Sequence, residues 1–311
     1  MDQKIFVNLK RFDIPRKMGG ICPIDTPQVW IEEVIEKSVT MRLGVRKGLL
    51  LNFLLPEALL LPAIRRLESF APNERGNITV GCQGVFREDV AAGGNIGAFT
   101  TNLPATAAKN LGCTWSIIGH SEERKDKLNI LNYFEPNIKN DFSLRVKATE
   151  TVEQIINEEV LRALDADLNV LLCVGETGAE RGEGNFEQRR PLIENVLCRQ
   201  VMSGIKGIKE FHKQKLVIGY EPVWAIGPNK TPPEKDYISF ASKHIKKVVK
   251  EEFNIDIPVV YGGGLKEENA GMIGTIKSID GGLVALTQFT GKIAFEPEGL
   301  QRIIDTYFRA I

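Results

Sequence analysis

Short apolar, β-rich runs recur eight times along the chain, with segments of helical spacing between them. The runs are "KIFVNL" near residue 5, "GLLLNFL" near 50, "ITVGCQ" near 80, "WSIIG" near 116, "NVLLCVG" near 170, "LVIGY" near 217, "IPVVYGG" near 258 and "GGLVAL" near 283. Helical signals are present in "TPQVWIEEVIEKSV", "VEQIINEEVLRAL", "KDYISFASKHIKKVVKEEF" and "PEGLQRIIDTYF". Buried parallel strands need apolar cover on both faces, and helical crossovers to bring the chain back to the same end. Eight β-then-α units therefore predict an α/β protein built as a (β/α)8 barrel. A doubly wound open sheet is the structural alternative. No GxGxxG follows the first strand, which removes one argument for that alternative without excluding it. No linker rich in Pro, Gly or Ser interrupts the pattern, so residues 1–311 read as one domain.

Charge and cysteine content narrow the class. Forty basic and forty acidic residues cancel, and no long run of one sign occurs, which argues against nucleic acid or an acidic membrane surface as partner. The most apolar stretch, "GLLLNFLLPEALLLPAI", is broken by Asn52, Pro56, Glu57 and Pro62, and reads as a buried strand followed by a helix. The start, "MDQKIFVNLKRFD", is too polar for a signal-peptide core. Five cysteines without a CxxC pair fit neither a disulfide framework nor a zinc cage, and predict a reducing cytoplasmic setting. Cys173 reads as a packed core thiol.

Two connections look long for loops: residues 11–27 after the first strand and 122–150 after the fourth. Both follow strand C-terminal ends, the face where a barrel carries its site, so they are expected to shape or cover it, or else to serve subunit contact.

Polar residues at strand ends supply the candidate chemistry. Strand alternation in "FVNLK" puts Asn8 and Lys10 on one side, opposite Val7 and Leu9, where a fixed cation and an amide donor suit an anionic substrate. In "WSIIGHSEER", His120 precedes Ser121, a candidate helix N-cap, and acids follow in the first turn. A helix N-terminus disfavours imidazolium and leaves a neutral ring able to donate a hydrogen bond to a carbonyl. His212 and His244 read as surface helix residues. Glu221 ends "VIGY", and Pro222 fixes the departing loop "PVWAIGPNK", a lid in which Gly227 offers a backbone N–H. Taken alone, Asn-x-Lys also fits a strand end meeting solvent, His120 a structural histidine, and the loop an ordinary one in which Trp224 packs on its neighbours. Together, a carboxylate, an imidazole and a lysine with no nucleophile triad or metal cluster fit proton abstraction beside a carbonyl.

The segments "NLK", "GHSE", "CVGET" and "YEPVWAIG", in this order and at strand ends, resemble the signature segments of the triosephosphate isomerase family, whose acid–base logic is a worked case in general accounts of enzyme pKa tuning. The resemblance implies a TIM barrel and a glycolytic and gluconeogenic aldose–ketose isomerase acting through an enediolate. It makes Glu221 the base, His120 the electrophile and Lys10 a further catalytic group, with Asn8 in the pocket. Ser121 and Glu122 are supporting residues, and residues 222–231 the lid. It also implies a homodimer, a small phosphorylated sugar as substrate, and no cofactor, since an enediolate route moves only protons.

This chain departs from the family pattern at the phosphate end. Gly227 is retained, a serine becomes Gly264, and a Gly-Gly pair becomes Ala285 and Leu286, where a side chain stands to obstruct close approach of a phosphate. Near the expected dimer contact an acid becomes Asn102 and a base becomes Glu123, while Phe99 and Thr100 remain. Two alternatives stay open at this point: an isomerase of another small sugar phosphate, such as erythrulose phosphate, and a non-catalytic barrel.

Overall fold

The computed structural model describes residues 2–227, 230–289, 291 and 293–311. Eight strands, β1 (Gln3–Asn8), β2 (Leu49–Leu55), β3 (Ile78–Cys82), β4 (Trp115–Ile118), β5 (Asn169–Val174), β6 (Leu216–Tyr220), β7 (Val259–Tyr261) and β8 (Gly281–Val284), pair in chain order. All pairings are parallel, and β8 returns to β1 to close the barrel. Closure removes both sheet edges, so the open-sheet alternative is set aside.

Alternation along each strand sorts the apolar residues into two layers. Phe6, Leu54, Trp115, Ile117, Leu171, Cys173, Val217, Val260 and Leu283 form one cluster, inside the barrel, where Phe6 meets Trp115 edge to face at 4.9 Å. Ile5, Val7, Leu51, Phe53 and their counterparts form the other layer, packed under the surrounding helices. Cys173 is fully buried, and burial pushes its thiol well above the ordinary value. Among the described residues no helix is long and apolar enough to cross a membrane.

Residues 122–150 are not a loop. They form a helix over Ser121–Phe134, a 3-10 turn over Pro136–Lys139, and the start of a helix over Phe142–Asp165. Asp141 caps the latter by accepting the N–H of Leu144. Ala148, Val152, Ile156 and Val160, four residues apart, are its buried stripe, whose first member lies upstream of the segment with the evident spacing. Residues 11–27 hold one 3-10 turn over Arg16–Met18 and a bridge between Pro15 and Cys22. Arg16 fastens this segment to the Ile293 carbonyl beyond β8. His212, expected on the surface, is buried in the 3-10 segment before β6, and burial lowers its pKa. His244 lies on the helix over Lys235–Phe253, within hydrogen-bond reach of the Glu194 carbonyl.

Candidate active site

Glu221 follows β6 directly and is buried, only 2% exposed. Its Oε1 lies 3.1 Å from His120 Nε2, and its Oε2 accepts the Ser121 N–H at 3.0 Å. Burial raises its pKa, while His120, the Ser121 N–H, Arg124 and Lys10 pull it back. Two glycines make room for it. A Cβ on Gly175 would strike the Glu221 carbonyl oxygen, and one on Gly262 would stand 2.7 Å from its Cγ.

His120 itself caps the helix over Ser121–Phe134, correcting the expectation that Ser121 would. The reason is local. The ring Nδ1 accepts the Glu122 N–H at 3.3 Å, while the Ser121 N–H is taken by Glu221. An Nδ1 that accepts places the ring proton on Nε2, facing the carboxylate.

Lys10 reaches the same mouth by a route that strand alternation does not predict. β1 ends at Asn8, and Lys10 lies in a turn with φ of 34°, a strained value for a non-glycine residue. Its Nζ donates to Glu122 Oε1 at 2.6 Å. Burial opposes the charge on Glu122, but Lys10 and His120 hold its carboxyl below the usual range. Asn8, on the barrel-interior side of β1, accepts the Lys10 N–H at 3.1 Å and the Gln83 amide at 3.0 Å.

At the other end of the mouth, Gly227 and Gly264 have φ of 122° and 91°, and added Cβ atoms would meet nothing within 4 Å. Ala285 and Leu286 follow β8 without positive φ, so their side chains impose no backbone strain there. Leu286 is partly buried and packs against the outer apolar layer. Lys266 and Phe289 stack nearby, with Nζ 4.0 Å from the ring centre. Of the expected lid, Pro222–Gly227 and residues 230–231 are described, with a 3-10 turn over Val223–Ala225; Pro228 and Asn229 lie outside the described residues.

Three residues at the site carried no role in the sequence reading. Gln83 follows β3 and lies among Asn8 Oδ1, the Lys10 carbonyl and the Leu54 carbonyl. A polar residue closing "ITVGCQ" at a strand end was the available signal. Glu176, fully buried after β5, accepts from Tyr220, from Trp224 Nε1 at 2.7 Å and from Tyr237 at 2.7 Å. It thereby holds the lid tryptophan, whose ring also packs edge to face on Tyr237 at 5.4 Å and lies 3.8 Å from the Arg181 guanidinium. Arg124 donates to the Gly119 and Cys173 carbonyls at 2.7 and 3.1 Å and pairs with Glu153 at 2.8 Å. The substituted Asn102 donates locally, to the Thr101 hydroxyl, and Phe99 packs against Phe86 at 5.7 Å.

The family model described as triosephosphate isomerase matches residues 49–296. That span includes His120, Glu221, Gly227, Gly264, Ala285 and Leu286; Asn8 and Lys10 lie before it. The triosephosphate isomerase of Chloroherpeton thalassium is 33% identical over 210 residues, covering 67% of this chain and 69% of that protein. That of Caldanaerobacter subterraneus subsp. tengcongensis is 31% identical over 233 residues, covering 73% and 79%. The crystal structure of the Bartonella henselae triosephosphate isomerase superposes with a TM-score of 0.66 at 20% identity, over 99% of this chain and 100% of that one, a likeness of fold.

Proposed function

This chain belongs to the triosephosphate isomerase family, and from that membership we propose that it interconverts dihydroxyacetone phosphate and D-glyceraldehyde 3-phosphate through an enediolate. The observation that carries the reading is the pairing of the buried Glu221 with the part-buried His120, a carboxylate facing an Nε2–H at 3.1 Å. Glu221 takes a proton from the carbon beside the carbonyl and returns it to the adjacent carbon. His120 gives its Nε2–H bond to the substrate oxygen, and Lys10 stabilises the negative charge that develops there. Carboxylate and imidazole are in direct contact, so substrate binding must replace their mutual bond with one bond to each partner. Asn8 positions Lys10, with Ser121 and Glu122 in support. Backbone N–H groups at Gly227, Gly264, Ala285 and Leu286 receive the phosphate. The lid shields the enediolate from water.

The reading extends to one barrel domain over residues 1–311, working as a cytoplasmic homodimer. The exposed segment after β3, with Ile96 94% exposed, supports a second copy as its partner. The replacement of the glycine pair by Ala285 and Leu286 favours testing a four-carbon sugar phosphate as a competing substrate. The deciding experiment is a coupled assay on D-glyceraldehyde 3-phosphate with the Glu221→Gln variant in parallel. Turnover lost by about 10²-fold or more in the variant supports the proposal. Turnover equal in both proteins, or confined to the four-carbon compound, overturns it.

A further inference from the structure

Behind His120 lies a part-buried cluster of ionisable side chains that the proposed reaction does not use. Glu123, at the third position of the helix over Ser121–Phe134, turns inward, and its Oε2 accepts the Gly119 N–H at 2.6 Å. Its Oε1 meets Lys127 Nζ at 2.6 Å, and Lys127 also pairs with Glu159 at 3.0 Å. Glu159 comes from the helix over Phe142–Asp165, in the part whose helical spacing is evident in the sequence, and supplies one wall of the cluster. The next side chain, Arg124, takes the carbonyl of the same Gly119. Both polar groups of Gly119 are therefore held by consecutive residues of the first helical turn, one anionic and one cationic.

Gly119 links β4 to His120 with φ of 75°, and a Cβ there would stand 3.0 Å from Arg124 and from the Cys173 carbonyl. Rotation about this residue swings the His120 ring relative to Glu221, and two opposed charge-assisted bonds restrict that rotation. We propose that Glu123 is a positioning residue: by binding the Gly119 N–H it fixes the plane from which His120 addresses the substrate oxygen. The inference rests on His120 being the electrophile, as proposed above. Its physical basis is that a shift of about 1 Å in a catalytic group lowers the rate by about 10²-fold.

The test joins kinetics on D-glyceraldehyde 3-phosphate with ring ¹⁵N resonances of histidine-labelled protein, which has only three histidines to assign. Glu123→Ala is expected to lower kcat by about 10- to 100-fold with KM within about twofold, and to move the His120 signals while those of His212 and His244 stay. Glu123→Gln, which keeps an acceptor oxygen for Gly119, is expected to recover most of the loss in both readouts. A folded Glu123→Ala protein with unchanged kcat and unmoved His120 signals overturns the proposal, as does a Glu123→Gln variant no better than alanine. The resonance measurement needs no substrate. If the parent protein fails to turn over the triose phosphate while the resonance result holds, the isomerase reading falls and the positioning of His120 stands.

Discussion

Glu221 Oε1 and His120 Nε2 lie 3.1 Å apart, joined across the barrel mouth from the ends of β6 and β4. Burial raises the Glu221 pKa above 4.5, so the carboxylate needed as base is lost on acidification earlier than an exposed one would be. The acid limb of kcat/KM is therefore expected to have its midpoint above pH 4.5. A pH profile on the free enzyme measures it, and a midpoint at or below 4.5 would contradict the assignment of Glu221.

His120 stands with Nδ1 accepting and Nε2–H facing the reaction. His120→Gln preserves a donor but shortens its reach and removes the ring's fixed orientation. The expected result is a fall in kcat of about 10²- to 10³-fold with KM changed only a few-fold, because the lost interaction is one that strengthens in the transition state. Steady-state kinetics over a substrate series would show it. A rise in KM at constant kcat would instead assign His120 to binding.

Glu176 and Trp224 give the lid a defined resting contact. The buried carboxylate, raised by burial and pulled back by Tyr237, its own backbone, Trp224 and Tyr220, holds the indole N–H at 2.7 Å. Trp224→Phe keeps an aromatic ring, smaller than the indole, and removes the donor. The resting contact is then weakened by about 1.5 to 3 kcal/mol, the scale of a hydrogen bond to a charged group. The lid should open and close with altered populations, changing kcat by about 3- to 10-fold and KM in parallel. Kinetic parameters indistinguishable from the parent would show that this bond does not govern the lid.

The barrel was legible because eight apolar runs alternating with amphipathic segments leave few other ways to cover parallel strands. His120 was legible because it sits between a strand end and the start of a helix, and Glu221 because it ends a strand next to Pro222, which fixes the backbone. Lys10 was reached by an argument that fails in detail, since strand alternation stops at Asn8 and a strained turn carries the lysine into the site. The helices within 122–150 were missed because their exposed faces carry Ile130, Tyr133, Phe134 and Phe142, which blur the usual amphipathic contrast. Gln83, Arg124 and Glu123 act through contacts with residues distant in the chain or with backbone groups, and such partners leave no periodic trace in a sequence.

Glu159 supplies a pH dependence of stability with a definite sign. Burial, followed by the neighbouring Glu123 charge and hydrogen bond, pushes its carboxyl up to about 9, against Lys127, which pulls it down. A folded-state pKa above the unfolded value of 4.5 means that the folded protein holds a proton the unfolded chain has released. This contribution is full below pH 4.5 and is lost as pH rises toward 9. Glu123 and Lys127 do not offset it in that window, because the former is lowered below 4.5 and the latter raised above 10.5. Glu159→Gln mimics the protonated acid at every pH and removes the dependence. Thermal unfolding of both proteins from pH 5 to pH 9 should show the variant gaining on the parent as pH rises, by a few degrees at the alkaline end. Parallel curves would mean that Glu159 is ionised in the folded protein throughout, with Lys127 shared between two carboxylates.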